Sequence, residues 1–280
     1  MAELLGNHTR RRWRFGTSVA GLALCSLGLA GCASFWEEVT RHDISFSERM
    51  HNIMSSPPDP LVVLRDSKDG DDRARALRSL QEPKQHKGTD QDQEFALKIL
   101  VTSAQTDPQA LCRVAAIQSL SKFKDPRAVQ GLIDAYYKAT TFAPDTATVV
   151  QCAALRALGD TGHPAAVDLL TRVVRAPSPA QDVAEAETQQ EQDRRIAAAR
   201  ALGHFSHYQA AEALVYVLRT ERDVALRQRA HEALVASTGK DLGFDPAPWD
   251  KLLNEHAWDG PMPQPKPKEK ISLVGWMESK

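Results

Sequence analysis

The chain has 280 residues, of which 42% are hydrophobic and 25% charged, with a formal net charge of -1. These values lie inside the globular range and leave room for a real core in one or two domains. The first 31 residues hold four arginines and one glutamate, so the remainder is mildly acidic, which argues against nucleic acid as a partner because that binding rests on clustered Lys and Arg neutralising phosphates.

The first predicted element is a leader. Arg10, Arg11, Arg12 and Arg14 form a basic zone, an apolar run follows from Thr17 to Ala30, and small residues close it. A basic zone that stays on the cytoplasmic side while the apolar zone enters the membrane is the arrangement of a secretory signal. The run has 14 residues, short of the about 20 that a spanning helix needs, so residues 1–31 read as a cleavable signal peptide. Leu29, Ala30, Gly31 and Cys32 resemble the lipobox of bacterial lipoproteins. The resemblance implies that the Cys32 thiol is acylated with diacylglycerol and that the chain is cut just before it. Cys25 does not fit, having Leu24 where a small residue is wanted. Thr9 to Trp13 is faintly similar to a twin-arginine signal. Ala33 and Ser34 follow Cys32 in place of an aspartate, which by the same resemblance favours the outer over the inner membrane. Two or three acyl chains of the palmitate type make such an anchor stable. The expectation is a lipid-anchored, periplasm-facing protein of the cell envelope, whose only cofactor is the covalent lipid on Cys32.

Residues 32–58 read as a polar tether that includes Glu37 and Glu38 and runs into Pro57-Pro58-Asp59-Pro60. Self-similarity then dominates. Five segments share one pattern: RARALRSL from Arg73, RVAAIQSL from Arg113, QCAALRAL from Gln151, RIAAARAL from Arg195 and RQRAHEAL from Arg227. Counting from the first residue of each, position +3 is always alanine (Ala76, Ala116, Ala154, Ala198, Ala230) and position +7 always leucine (Leu80, Leu120, Leu158, Leu202, Leu234). Offsets of three and seven share one helical face. The alanines allow close helix approach and the leucines fill the seam. The anchors stand 40, 38, 44 and 32 residues apart, a period that predicts a helical pair per unit. A second apolar segment precedes each motif, at Leu61, Phe95, Ala128, Ala165 and Ala211. Asp59-Pro60, Asp125-Pro126 and His163-Pro164 predict capped helix starts, because proline suits the first helical position. Gly159 and Gly203 are expected as C-caps of second helices.

These segments resemble the HEAT repeat, in particular the bacterial HEAT-like sort whose second helix reads VRxAAAxALG; IAAARALG from Ile196 and CAALRALG from Cys152 match closely. The resemblance covers residues 59–237 and implies an all-α HEAT-like α-solenoid of about five helical hairpins. In that family an acidic residue six positions before the motif arginine joins a ladder of interior hydrogen bonds between units. Carried over, Asp107 precedes Arg113 by six and Glu221 precedes Arg227 by six. Asp145 keeps the spacing with Gln151 in place of the arginine, while Arg73 and Arg195 have Ser67 and Gln189 at the acidic place. The implied ladder is partial, and its residues are structural, since a charge kept inside a solenoid needs a partner.

Between Val174 and Arg195 the stretch APSPAQDVAEAETQQEQDR predicts a loop that leads into a lengthened, solvated second helix of the fourth unit. After the fifth unit, TGKDLGFDPAPWDKLL (Thr238 to Leu253) resembles the closing segment of bacterial HEAT-repeat proteins. Residues 238–258 are expected to cap the open solenoid end, with Leu242, Phe244 and Trp249 covering its apolar surface. Residues 259–280 give a Pro/Lys-rich linker, PMPQPKPKEK, and then ISLVGWM. Ile271, Leu273, Val274 and Trp276 in that apolar peptide are expected either to dock back on the repeats or to hook a partner.

Chemistry is sparse. His204 and His207 have a spacing that could ligate a metal but sit at a turn without Cys or carboxylate partners, so no metal site is expected. His231 reads as a packed or solvated histidine. The sequence has no GxSxG, HExxH, Walker loop or GxGxxG, and no catalytic residue is assigned. Cys112 and Cys152 are no disulfide framework. They read as buried thiols, because packed helices stand about 8–10 Å apart and a bridge needs Cα atoms within about 7 Å. The resulting expectation is a non-enzymatic scaffold that binds an unknown protein with its concave, second-helix surface. One alternative is an accessory protein similar to the HEAT-like bilin lyases, acting on a partner's prosthetic group. The other is a passive structural lipoprotein.

Overall fold

Caps start the helices where the sequence places its punctuation. Asp59 accepts the Leu61 N–H at 2.9 Å, Asp125 accepts the Arg127 N–H at 3.0 Å, and His163 Nδ1 accepts the Ala165 N–H at 3.2 Å. Thr89 and Asp92 form a reciprocal capping box, which satisfies two backbone donors that a helix start leaves open. The computed structural model describes residues 59–177 and 184–255. The signal peptide, Cys32, the tether, and the tail with Ile271, Leu273, Val274 and Trp276 lie outside the described residues.

Eleven α-helices and no strands are found among the described residues. The five units are α1 (Pro60–Asp66) with α2 (Gly70–Ser79), α3 (Asp90–Thr106) with α4 (Ala110–Leu120), α5 (Pro126–Lys138) with α6 (Pro144–Thr161), α7 (Val167–Val174) with α8 (Glu185–Leu202), and α9 (Tyr208–Thr220) with α10 (Val224–Thr238). A last helix, α11 (Pro246–Glu255), follows. The fold is an all-α solenoid of two layers. Second helices pack in series, α2 on α4, α4 on α6, α6 on α8 and α8 on α10. First helices form the other layer, with α3 on α5, α7 on α9 and α9 on α11.

The motif supplies the seam between the layers. Ala116, Ala154, Ala198 and Ala230 are fully buried, as are Leu120, Leu158 and Leu202. Each such leucine contributes about 2 kcal/mol of hydrophobic stabilisation. In the first unit Leu80 is only partly buried, because α2 ends one residue before it. Cys112 and Cys152 are buried, free thiols, and burial pushes the Cys152 thiol up to about 11.

The two motif glycines do not act as expected. Gly159 lies inside α6, which runs on to Thr161 and ends on Gly162 at φ 61°. A Cβ on Gly159 would stand 2.8 Å from Ala201 Cα in α8, so its missing side chain lets two second helices touch. Gly203 does cap α8, but with a right-handed φ of -62°, and its Cβ position faces Ala233 Cα at 3.1 Å. The contact scheme therefore repeats: position +8 of one unit meets position +6 of the next.

The closing segment turns at Gly239 and Gly243, both with positive φ, and delivers α11 onto α9. Trp249 is 1% exposed and its Nε1 donates to the Gly243 carbonyl at 2.8 Å. Leu242 packs partly buried against the core. Phe244 departs from its expected role: it is 42% exposed and stacks on His231 at 4.5 Å between ring centroids. Trp249→Phe removes the only donor of that side chain, and losing a part-buried hydrogen bond costs about 1–2 kcal/mol. The expected result is a fall in melting temperature of about 3–6 °C, read by thermal unfolding.

Candidate functional site

The arginines that open the motif face inward and tie each unit to the next. Arg73 in α2 pairs with Asp107, the residue just past α3. Asp107 also accepts the Gln109 N–H at 2.9 Å through its side chain and the Arg113 Nε at 2.8 Å through its carbonyl. Arg113 continues forward, donating to the Lys138 carbonyl at 2.9 Å and the Thr141 hydroxyl at 3.0 Å, with its guanidinium 4.3 Å from the Phe142 ring centroid. Arg195 pairs with Glu221 at 2.6 Å, with side chains 5% and 6% exposed. Burial alone would raise the Glu221 carboxyl; the Asp223 N–H, the Arg195 charge and the Arg222 N–H outweigh it and hold it below its ordinary value.

Two residues predicted for this ladder lie elsewhere. Asp145 falls in the first turn of α6, exposed, and accepts from Gln190 at 2.7 Å. The reason is local: the 3-10 turn Ala139–Thr141 extends the end of α5, so Pro144 starts the second helix before Asp145 can reach the interior. Gln151 is buried, but its partners are the Tyr136 carbonyl at 3.5 Å and Arg194, whose Nη1 donates to Gln151 at 3.3 Å and to Thr148 at 3.3 Å. Glu221 serves Arg195, and Arg227 has no contact with it.

The surface that remains for other molecules is the outer face of the second helices. Offsets -2, +2 and +5 from the anchor share that face, since they differ by four and three residues. At +5 stand Arg78, Gln118, Arg156, Arg200 and Glu232, all exposed. At -2 stand Asp71, Leu111, Val149, Asp193 and Ala225, also all exposed. Leu111 is 41% and Val149 60% exposed. Between these rows the central units carry the small residues Ala115, Ala153 and Ala197, which are buried. Arg78 donates to Gln118 of the next unit at 3.2 Å, so the +5 row is continuous across that junction. Among the described residues, Arg78, Arg156 and Arg200 have no carboxylate partner within ion-pair distance. The row ends in a hollow of about 430 Å³ lined by Arg200, His204, Arg229 and Glu232. The arginines at +5 escape a search for motifs because a single exposed arginine on a helix is ordinary; the recurrence at one offset is the signal.

A second concavity, of about 630 Å³, lies between α1 and α3, lined by Leu61, Val62, Phe95 and Ile99 with Arg73 and Lys98. His204 and His207 are both exposed. His231 is turned to Asp241, 2.9 Å away. No group of three metal-ligating side chains occurs among the described residues, and no described helix is long and apolar enough to cross a membrane.

A family model described as PBS lyase HEAT-like repeat matches residues 113–137 and 150–175. Each match starts in a second helix and runs through the following first helix, so the stacked hairpins are HEAT-like repeats. No curated protein matches the chain.

Proposed function

We propose that this protein is a scaffold that binds another protein on its second-helix face and is held at the bacterial envelope by a lipid on Cys32. The observation that supports the binding face is the row of exposed arginines at one offset, Arg78, Arg156 and Arg200, beside the exposed Leu111 and Val149. The interior arginines are committed to the ladder; the outer ones are available. Neighbouring helices in such a stack stand about 8–10 Å apart and an extended peptide advances about 3.3 Å per residue. An extended segment with a carboxylate at every third residue therefore meets successive units in register. Charge pairs at such a rim set partner choice and association rate more than affinity. The lipobox-like sequence around Cys32 and its short apolar run are what support the anchor. The protein acts on this reading as an adaptor, not a catalyst.

The test is a crosslinking capture from membranes of the native host, comparing wild type with Arg156→Glu/Arg200→Glu and with a chain truncated after Gly260. Loss of a specific partner by at least about tenfold on charge reversal, with the truncated chain unaffected, is the expected result. Loss on truncation alone would move the binding site to the ISLVGWM tail. Retention in both variants sinks the face. Labelling with a radioactive fatty acid should mark wild type and leave Cys32→Ser unlabelled. The name of the matching family favours one other reading, an accessory that acts on a partner's prosthetic group, and a pigment co-purifying with the captured partner would select it.

A further inference from the structure

The ladder follows a rule that predicts its own last contact. Each inward arginine donates from Nε to a carbonyl at the end of its own first helix: Arg113 to Asp107 at 2.8 Å and Arg195 to Val174 at 3.4 Å. Its tip then reaches forward to a group at the end of the next first helix. Arg73 reaches Asp107, one residue past α3; Arg113 reaches Thr141, three past α5; Arg195 reaches Glu221, one past α9. Arg227 holds the same register in the fifth unit, and there the rule stops. Its Nε is buried without a hydrogen-bond partner, and its guanidinium has no ion pair among the described residues. A buried guanidinium nitrogen left unpaired is costly, so an acceptor belongs there.

The place of a sixth first helix is taken by α11, which packs on α9 as α9 packs on α7. Arg219, near the end of α9, holds Asp250 of α11 at 2.6 Å. The last turn of α11 therefore lies beside the α9–α10 turn, where Arg227 begins its reach. The forward acceptor should follow Glu255 within a few residues. Glu255 itself is exposed and stands 3.6 Å from Lys251. The next acid along the chain is Asp259, in His256-Ala257-Trp258-Asp259-Gly260. Four residues of extended chain reach about 13 Å. An apolar contact is also open at the same end: Val224, one turn before Arg227 on α10, is 78% exposed, and Trp258 precedes the acid.

We propose that Asp259 closes the ladder on Arg227, laying residues 256–260 over the N-terminal half of α10 as the end cap of the second-helix layer. The cap on α9 and the cap on α10 are then two parts of one closing segment, and the Pro/Lys-rich tail departs from a fixed point at the end of the stack.

The test is a double-mutant cycle on the full-length chain purified in detergent, with Arg227→Met, Asp259→Asn and both together. Asp259→Asn should lower the melting temperature by about 3 °C in wild type and by under about 1 °C in the Arg227→Met background, because the two changes remove one interaction. Amides of 226–230 should exchange at least about tenfold faster in Asp259→Asn than in wild type. Equal losses in both backgrounds, or no loss and unchanged exchange, overturn the proposal. A loss that varies with protein concentration assigns the acid to a second copy and overturns it as well.

Discussion

Glu221→Ala is expected to lower the melting temperature of this protein by about 10 °C, given a cost of about 3–5 kcal/mol for breaking a buried ion pair and about 2–4 °C per kcal/mol in a chain of this size. The size of the effect comes from what is left behind. Arg195 is 5% exposed, 2.6 Å from Glu221, and without the carboxylate it keeps a buried charge. Glu221 also receives the backbone N–H groups of Arg222 at 2.8 Å and Asp223 at 3.0 Å, so the same substitution opens the turn between α9 and α10. Glu221→Gln keeps the shape and an acceptor oxygen, and should cost less. Arg195→Met/Glu221→Leu should cost less than the sum of the single changes, because no charge is stranded. The pair also predicts a pH dependence. The folded carboxyl titrates below its ordinary 4.5, so the native state favours its ionised form. That stabilisation is fully present above about pH 4.5 and is lost as pH falls through the lower folded value. Thermal unfolding between pH 3 and pH 6 should show a slope in wild type that is reduced in Glu221→Gln.

The same ladder shows where reading the sequence succeeds and where it stops. Alanine at +3 and leucine at +7 recur five times, and a recurrence at helical offsets can only be a buried stripe. That much fixes the hairpins, their order and their seam. Pairing is harder. A spacing of six residues looks backward within a unit, whereas the ion pairs run forward across units: Arg73 and Asp107 are 34 residues apart. Arg73 and Arg195, each without an acid six residues earlier, turn out to hold the two ladder ion pairs among the described residues. Asp145 satisfies the spacing and misses the interior because an added 3-10 turn takes up the slack before α6. Gly159 reads as a helix stop, since a capping glycine and a glycine removed of its side chain for a close approach are spelled alike. Only the position of Ala201 distinguishes them. The outer arginine row was equally present in the letters, at +5, but its exposure becomes visible only when the inward and outward faces of each second helix are known.

Gly159→Ala offers a direct measure of how tightly the units are stacked, because two effects of known size oppose each other there. Alanine in a helix interior is favoured over glycine by about 1 kcal/mol. Against that, the new Cβ would lie 2.8 Å from Ala201 Cα and 2.9 Å from Ala201 Cβ, and backbone cannot swing aside as a flexible side chain does. Forcing extra atoms into a packed seam costs about 1–3 kcal/mol, so the net change should be a loss, and Gly159→Leu should be worse. Gly203 supplies the contrast: its Cβ position is 3.1 Å from Ala233 Cα and 3.2 Å from Ala233 Cβ, at the end of α8, so Gly203→Ala should cost little. The position of the damage then decides its form. A stack in which each unit touches only its neighbours is stable through its interfaces, and the contact of α6 with α8 joins units 3 and 4. Wedging it with leucine should divide the chain into an N-terminal block of three units and a C-terminal block of two. Urea unfolding of Gly159→Leu should accordingly split into two transitions, with α9 and α10 losing amide protection at a different urea concentration from α3 and α4. A single transition, merely shifted, would mean that the seam yields elsewhere and that the close approach at Gly159 does not hold the two blocks together.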